Sequence, residues 1–355
     1  MDLALTNDQE TLREVFTDVF AGQGGPERAR AAEPLGFDPD AWGRLLETGA
    51  PGMGVAESRG GGGATLADLA VVAEEYGAAI APLPLVEHAV AARLLAGLDA
   101  CPDGLLAGVV EGTEAATLAL RPAVDGVAEA CPAAAVATHV VALDDDRLVV
   151  ASGEASMTAL ANHGCLPLAH RPLDGAIVVA EGNAAHAAHG RALDEWRTLT
   201  AAALVGNART ALDLAVEYVK ERHQFGRPIG AFQAVQQLLA DLPGLLDGAR
   251  LLAAKAAWSG DLDPDGNGGT IDLGTNDVTD FPALASMALV AAGEAAATAT
   301  DRSLHVHGGY GFSEEYDIQL FYRRARAWAL VLDDPARECR RLADLLLESA
   351  VGDAA

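Results

Sequence analysis

The sequence predicts a mainly helical protein with a small β domain at its centre. Three observations lead there. Apolar residues recur at three- and four-residue intervals in the first and last thirds of the chain, the spacing of one helix face. Half of the residues are apolar but only 5% are aromatic, and alanine dominates the apolar set, which suits close-packed helices better than sheets. Between about Thr117 and Val179 the helical period gives way to short apolar runs rich in valine and alanine, the pattern of strands. A chain of 355 residues has room for two or three subdomains. The changes of pattern divide it into a helical region at 1–115, a short β region at 116–185 and a helical region at 186–355.

Asn7 to Phe20 is the first helical stretch, with Leu12, Val15, Phe16, Val19 and Phe20 expected on one face. A polar stretch follows from Gly22 to Pro39, after which Asp40 is expected to cap a short helix through Thr48. Gly49 to Gly63 is rich in glycine but lacks both a GxGxxG frame and a Lys-Ser/Thr end, so it reads as a flexible turn, not a phosphate loop. Thr65 and Asp68 have the spacing of a capping box for a helix that ends near Gly77. Pro82 and Pro84 break that helix, and Leu85 to Ala96 resumes one.

In the central region, the runs Val136–Leu143 and Arg147–Ala151 flank Asp144-Asp145-Asp146 as a hairpin, and Ala176–Val179 is a further strand. Helix returns from Ala192 and carries Ala208, Leu212, Ala215 and Val219 at helical spacing as far as Glu221. Phe232, Val235 and Leu239 open another helix, expected to kink or break at Pro243-Gly244. Asp261 to Asp280 is a polar loop whose acidic residues lack EF-hand spacing, and Phe281 to Leu304 is a long helix.

Composition excludes several functions. A formal net charge of −27 opposes nucleic acid or an anionic membrane surface as partner, since both require clustered Lys and Arg. The apolar window Phe281–Thr300 is mostly small residues with Glu294 inside it, which fits a packed helix better than a membrane span. Met1 to Leu5 has neither a basic nor an apolar export region, and Cys101, Cys131, Cys165 and Cys339 show no CxxC pairing. These features predict buried thiols and a cytoplasmic protein. His186 and His189 would share a helix face, but no cysteine or carboxylate completes a set of metal ligands, so no metal is expected.

Two stretches carry more than structure requires. The turn Glu221-Arg222-His223-Gln224-Phe225-Gly226-Arg227-Pro228-Ile229-Gly230-Ala231-Phe232-Gln233 joins two helices as an αα-hairpin and holds Arg222, Gln224, Arg227 and Gln233 together. The second is His305-Val306-His307-Gly308-Gly309-Tyr310-Gly311-Phe312-Ser313-Glu314-Glu315-Tyr316, followed by Phe321-Tyr322-Arg323-Arg324-Ala325-Arg326. Both resemble motifs of the acyl-CoA dehydrogenases, FAD enzymes that desaturate acyl-CoA thioesters between Cα and Cβ. Glu74-Glu75-Tyr76-Gly77 and the Ala81-Pro82-Leu83-Pro84 turn resemble that family's N-terminal helical domain.

The resemblance implies the family's fold: an N-terminal helical domain, a β domain that is reduced here, and a C-terminal four-helix bundle. It implies that Arg222, Gln224, Phe225, Phe232 and Gln233 hold the ADP half of a neighbouring subunit's FAD. His305, where the family usually has Gln, would still offer a hydrogen bond, and Gly308 and Gly309 would let backbone approach the pyrophosphate. The central region lacks the family's Y-C-x-T-E-P-x-A-G-S-D and W-I-T-N-like stretches that hold the flavin ring.

Desaturation requires a carboxylate to take the Cα proton, a flavin to accept hydride from Cβ and donors to polarise the thioester. The family places its glutamate at one of two positions, and here these carry Leu332 and Trp196. Asp333 and Glu195 stand one residue away. Asp333 with Asp334 reads as a helix cap before Pro335, and Glu195 as a solvated helix residue. The pattern resembles the short, base-lacking subunit of heteromeric α2β2 acyl-CoA dehydrogenases of actinobacterial steroid side-chain degradation. That implies a full-length paralogue as partner in a heterotetramer, an acyl-CoA substrate with a bulky steroid-type group, and electron-transfer flavoprotein as acceptor. A self-sufficient enzyme using Asp333 or Glu195, and a scaffold subunit without flavin, are the alternatives.

Overall fold

The computed structural model describes residues 3–262, 270–272 and 277–352. Residues 263–269 and 273–276 of the polar loop expected at 261–280 lie outside them. Helix α1 (Asn7–Gln23) opens with a capping box: Gln9 N donates to Thr6 Oγ1 at 3.2 Å and Thr6 N to Gln9 Oε1 at 3.1 Å. Phe16 and Phe20 are buried, but Val15 is 50% exposed, because each residue turns the helix by about 100° and carries Val15 off the face of its neighbours. After α2 (Pro26–Ala31), helix α3 (Pro39–Leu46) is capped by Asp38, not by the expected Asp40. Asp38 Oδ1 accepts from Asp40 N and Ala41 N, and Pro39 fills the first helical position, where no N–H is needed.

The glycine-rich stretch is not a flexible turn. It forms two short 3-10 turns, and a Cβ on Gly52 or Gly61 would lie 2.4 Å from Val110 O or 2.3 Å from Val55 O. Close backbone approach, not mobility, explains those glycines. Helix α4 (Leu66–Ala78) has the capping box expected at its start, with Thr65 N donating to Asp68 Oδ2 at 3.0 Å and Asp68 N to Thr65 Oγ1 at 3.1 Å. Helix α5 (Leu85–Ala96) follows the proline break. Helix α6 (Asp103–Glu111) was not evident from the sequence: it has Gly104 and Gly108 inside it and no side-chain cap, so its local propensity is low.

The β region contains β1 (Ala116–Leu118), β2 (Val127–Cys131), β3 (His139–Asp144), β4 (Arg147–Ser152), β5 (Ala169–Pro172) and β6 (Ile177–Glu181). Four of these form a sheet in the order β1-β3-β4-β6, and β2 pairs with β5. The expected hairpin is β3–β4, antiparallel from His139↔Ser152 to Asp144↔Arg147. Helix α7 (Gly182–Glu221) spans 40 residues and starts ten residues before the expected boundary, through an alanine-rich segment that favours helix.

The strands β7 (His223–Gln224) and β8 (Arg227–Pro228) then lead to α8 (Gln233–Ala240) and α9 (Leu242–Leu262), separated by the break expected near Pro243. Strands β9 (Ile271–Asp272) and β10 (Asp277–Val278), α10 (Phe281–Val306), α11 (Ile318–Leu330) and α12 (Pro335–Gly352) complete the described chain.

Two compact units form, one from residues 1–30, 70–81 and 197–355, the other from 31–69 and 82–196. In the first, α10 packs against α9, α11 and α12. It is long and apolar enough to cross a membrane, but Ala288, Ala292, Ala296 and Ala299 are buried within this unit. Tyr76 packs between Phe20, edge-on at 6.1 Å between ring centres, and Trp328, tilted at 5.5 Å. Backbones approach closely here: a Cβ on Gly77 would lie 1.9 Å from Ala203 O, and one on Gly206 would lie 1.9 Å from Glu74 O.

In the second unit a core of Val140, Ala142, Val149, Ala151 and Leu173 lies against the sheet. His88 is fully buried beside it: Nε2 bonds Val109 O and Nδ1 accepts from Ala116 N, each at 3.0 Å. Burial pushes the His88 imidazole down to about 4, so the ring is neutral. Of the four thiols only Cys101 and Cys131 are buried as expected. Cys165 is half-buried and Cys339, on α12, is exposed.

Candidate functional site

The turn after α7 is tighter than an αα-hairpin link. β7 and β8 pair as His223↔Pro228 and Gln224↔Arg227, leaving the two-residue loop Phe225-Gly226. Both loop residues have positive φ, +53° and +79°, as a primed hairpin turn requires. For phenylalanine this is a strained backbone, and it holds the Phe225 ring 93% exposed. Phe225 packs edge-on against Phe232 at 6.1 Å, and the Arg227 guanidinium lies 4.1 Å from the Phe232 ring centre. Gln224 is exposed on this turn and Gln233 at the start of α8, and Arg222 is half-buried with its carbonyl accepting from Ile229 N at 2.7 Å.

The second glycine motif meets this turn. Arg222 stands 5.3 Å from the ring centre of Tyr310, and Tyr218 on α7 stacks on His307 at 4.1 Å. Tyr218 Oη donates to His307 O at 3.4 Å, and His307 Nδ1 bonds Ser303 O at 2.7 Å. Burial lowers the His307 pKa and raises that of Tyr218, so both rings are neutral and stack without charge. His305 is exposed in the last turn of α10. Gly308 has φ +62°, a conformation that favours glycine, and a Cβ on Gly308 or Gly309 would meet open space. The structure therefore brings Arg222 together with the segment that carries Gly308 and Gly309. Arg227 belongs to the set expected on the turn, whereas the contacts of Tyr218 and Tyr310 were not expected; Tyr310 lies inside the second motif and Tyr218 three residues before the first.

The two residues that the sequence resemblance sets at the base positions, Trp196 and Leu332, are buried. Trp196 is 1% exposed and Leu332 is 8% exposed. The Trp196 Nε1–H is buried with no hydrogen-bond partner among the described residues. Glu195 is not the solvated residue expected: it is 6% exposed. Arg93 Nε and Nη2 donate to its two carboxylate oxygens at 2.8 and 3.1 Å, and Arg191 Nε donates at 3.2 Å from one turn earlier. Burial acts to raise the Glu195 pKa, but Arg93 and then Arg191 outweigh it and hold the carboxyl below its ordinary value.

Asp333 is tied as well. Its Oδ2 accepts from Arg337 at 2.7 Å and its Oδ1 from Asp334 N, while Asp334 Oδ1 accepts from Ala336 N at 2.9 Å and caps α12. Asp333 borders a cavity of about 310 Å³ between α10, α11 and α12, with Leu289, Gly293, Arg326 and Leu332. A further buried carboxylate, Glu338, binds Arg197 at 2.7 Å and Ser286 Oγ at 2.7 Å. That pairing pins α12 onto α7 and α10; only its distance in sequence hid it. His186 and His189 do not share an environment. His186 is exposed, whereas His189 is buried with Nε2 bonded to Ala119 O at 2.9 Å. No group of three metal-ligating side chains occurs among the described residues.

Comparison with known proteins agrees with this architecture. Residues 6–112 match the model of the acyl-CoA dehydrogenase N-terminal domain and residues 186–331 that of the C-terminal domain. The acyl-CoA dehydrogenase IpdE2 of Mycobacterium tuberculosis is 30% identical over 348 residues, 96% of this chain and 98% of that protein. Acyl-CoA dehydrogenase FadE27 of the same organism is 29% identical, covering 98% of this chain and 100% of that protein. Among solved structures, the Tcur3481-Tcur3483 steroid ACAD superposes with a TM-score of 0.82 at 27% identity, covering 97% of this chain and 99% of that one. The ChsE4-ChsE5 complex from Mycobacterium tuberculosis gives 0.81 at 25% identity, covering 98% and 99%. With both domain models matched and a relative aligned end to end, the chain belongs to the acyl-CoA dehydrogenase family.

Proposed function

We infer that this chain is the partner subunit of a heteromeric FAD-dependent acyl-CoA dehydrogenase: it completes the nucleotide end of a flavin site and supplies no base of its own. One observation carries the reading. Trp196 and Leu332, the residues that the motif resemblance sets at the family's two glutamate positions, are buried, and the neighbouring acids, Glu195 and Asp333, are engaged by arginines. A carboxylate held ionised by two guanidiniums is a poor proton acceptor, because taking a proton would leave both cations uncompensated. Two structural relatives, the Tcur3481-Tcur3483 steroid ACAD and the ChsE4-ChsE5 complex, are named as pairs of chains, which supports a heteromer.

The residues present fit the nucleotide end of the cofactor. Gln224 and Gln233 are exposed, Arg222 lies against Tyr310, and the open space at Gly308 and Gly309 leaves backbone approachable. Arg222, Gln224 and Gln233 would hold the ADP half by charge-assisted and amide hydrogen bonds, with Phe225, Phe232 and His305 beside it. FAD, when bound, supplies the hydride acceptor at the substrate's Cβ. The proton at Cα is left to a carboxylate of the partner chain, a longer acyl-CoA dehydrogenase paralogue. The substrate class is an acyl-CoA with a bulky, steroid-type acyl group, and electron-transfer flavoprotein is the acceptor that fits the family.

The test is mutation inside the assembled complex. Asp333→Asn and Glu195→Gln, each in the hetero-oligomer, should leave kcat for acyl-CoA dehydrogenation within about twofold, provided that the variant complex stays assembled. A loss of about 100-fold or more from Asp333→Asn, with assembly and flavin content intact, would place the base in this chain.

A further inference from the structure

A row of three side chains crosses one end of the sheet in the second unit, and none of them has been assigned a role above. In the β1-β3-β4-β6 sheet, His139 begins β3 and pairs with Ser152, the last residue of β4. On its other side His139 pairs with Ala116, the first residue of β1, and Glu114 lies two residues before that. Alternation along a strand puts residues two apart on one face, and neighbouring strands lie about 4.8 Å apart. The three side chains therefore meet in line. His139 Nδ1 is 2.8 Å from Ser152 Oγ, and His139 Nε2 is 2.8 Å from Glu114 Oε2.

A carboxylate oxygen accepts, so in the neutral ring Nε2 donates the imidazole proton to Glu114. Nδ1 then presents a lone pair, and the Ser152 hydroxyl donates to it. The His139 side chain is 9% exposed, whereas Ser152 is exposed and the Glu114 side chain is 47% exposed. A packed base thus faces a hydroxyl that solvent can reach. Gly108 leaves room for the carboxylate: a Cβ there would lie 2.7 Å from Glu114 Oε2. Arg171 supplies positive charge beside the hydroxyl, donating to the carbonyls of Gly153 at 3.0 Å and Glu154 at 3.2 Å.

We propose that Glu114, His139 and Ser152 form a nucleophilic site that cleaves short, unhindered acyl esters or thioesters, an activity separate from dehydrogenation. Ser152 Oγ adds to the acyl carbon while His139 Nδ1 takes the hydroxyl proton. The bond from that carbon to the leaving oxygen or sulfur breaks, and the leaving group departs with the proton from Nδ1. Water then adds to the acyl-serine, passing one proton through the same nitrogen to Ser152 Oγ, and a carboxylic acid is released. Glu114 remains ionised and holds the imidazolium throughout. Because Ser152 is exposed at the end of β4, the site suits small acyl groups.

The full-length chain is incubated with p-nitrophenyl acetate, following nitrophenol release and the Ser152 peptide by mass spectrometry. An acetyl adduct on Ser152, with release lowered about 100-fold or more in Ser152→Ala and also lowered in Glu114→Gln at an unchanged melting temperature, is the expected result. Absence of the adduct from wild-type protein overturns the proposal. So does release from Ser152→Ala equal to wild type, or acetylation of Ser152 that Glu114→Gln leaves undiminished.

Discussion

Arg222 lies 5.3 Å from the ring centre of Tyr310, and that contact joins two motifs more than eighty residues apart in sequence. One is a two-residue turn that projects Phe225; the other is a glycine segment with open space at Gly308 and Gly309. A guanidinium over an aromatic face is held in one orientation at little entropic cost, with its remaining N–H groups free to meet an anion.

Arg222→Met should lower the FAD content of the hetero-oligomer. Loss of a charge-assisted hydrogen bond costs about 1.5–3 kcal/mol, equivalent to about 10- to 100-fold in flavin dissociation constant. Flavin absorbance after gel filtration reads this directly. Unchanged flavin content would favour a scaffold subunit that no longer touches the cofactor.

Glu195→Gln should destabilise the fold because it leaves Arg93 and Arg191 without their shared counter-ion. Removing one partner of a buried ion pair costs about 3–5 kcal/mol, and the partial exposure of both arginines places this case at the lower end. The expected change is a lower melting temperature at pH 7. A stable variant that has lost only catalysis would contradict the structural role.

His88 makes stability depend on pH with a definite sign. Its pKa falls from 6.5 in the unfolded chain to about 4 in the fold, so the unfolded state binds more protons between those values. Its contribution is complete above about pH 6.5 and is lost as pH falls towards 4, about 3 kcal/mol across the window. Thermal melts at pH 7 and pH 5 should therefore differ by less in His88→Gln than in wild type.

Gly77→Ala should be destabilising by about 1–3 kcal/mol or more, since its Cβ would meet the Ala203 carbonyl and nothing there is a flexible side-chain end. Gly244→Ala, where a Cβ meets open space on α9, should be neutral or stabilising by about 0.5–1 kcal/mol. Melting temperatures of the two variants, compared side by side, check the contrast.

Local signals were legible and long-range ones were not. The Thr65–Asp68 capping box, the β3–β4 hairpin, the break near Pro243 and the Asp334 cap all rest on residues within a few positions of each other. Helix α6 was missed because its glycines weaken propensity and burial of Leu106 and Val109 decides it. Glu195 was misjudged because one of its two cations, Arg93, lies 102 residues away in the sequence; Arg191, at helical spacing, was the visible half of that triad. The Glu114–His139–Ser152 row depends on strand order, which periodicity does not encode.

The most direct test is to purify this chain alone and measure bound flavin per polypeptide together with dehydrogenation of a steroid-type acyl-CoA. Less than stoichiometric FAD and no turnover are expected, with both restored by coexpression of a longer acyl-CoA dehydrogenase paralogue. Stoichiometric flavin and steady turnover by the isolated chain would contradict the partner-subunit role.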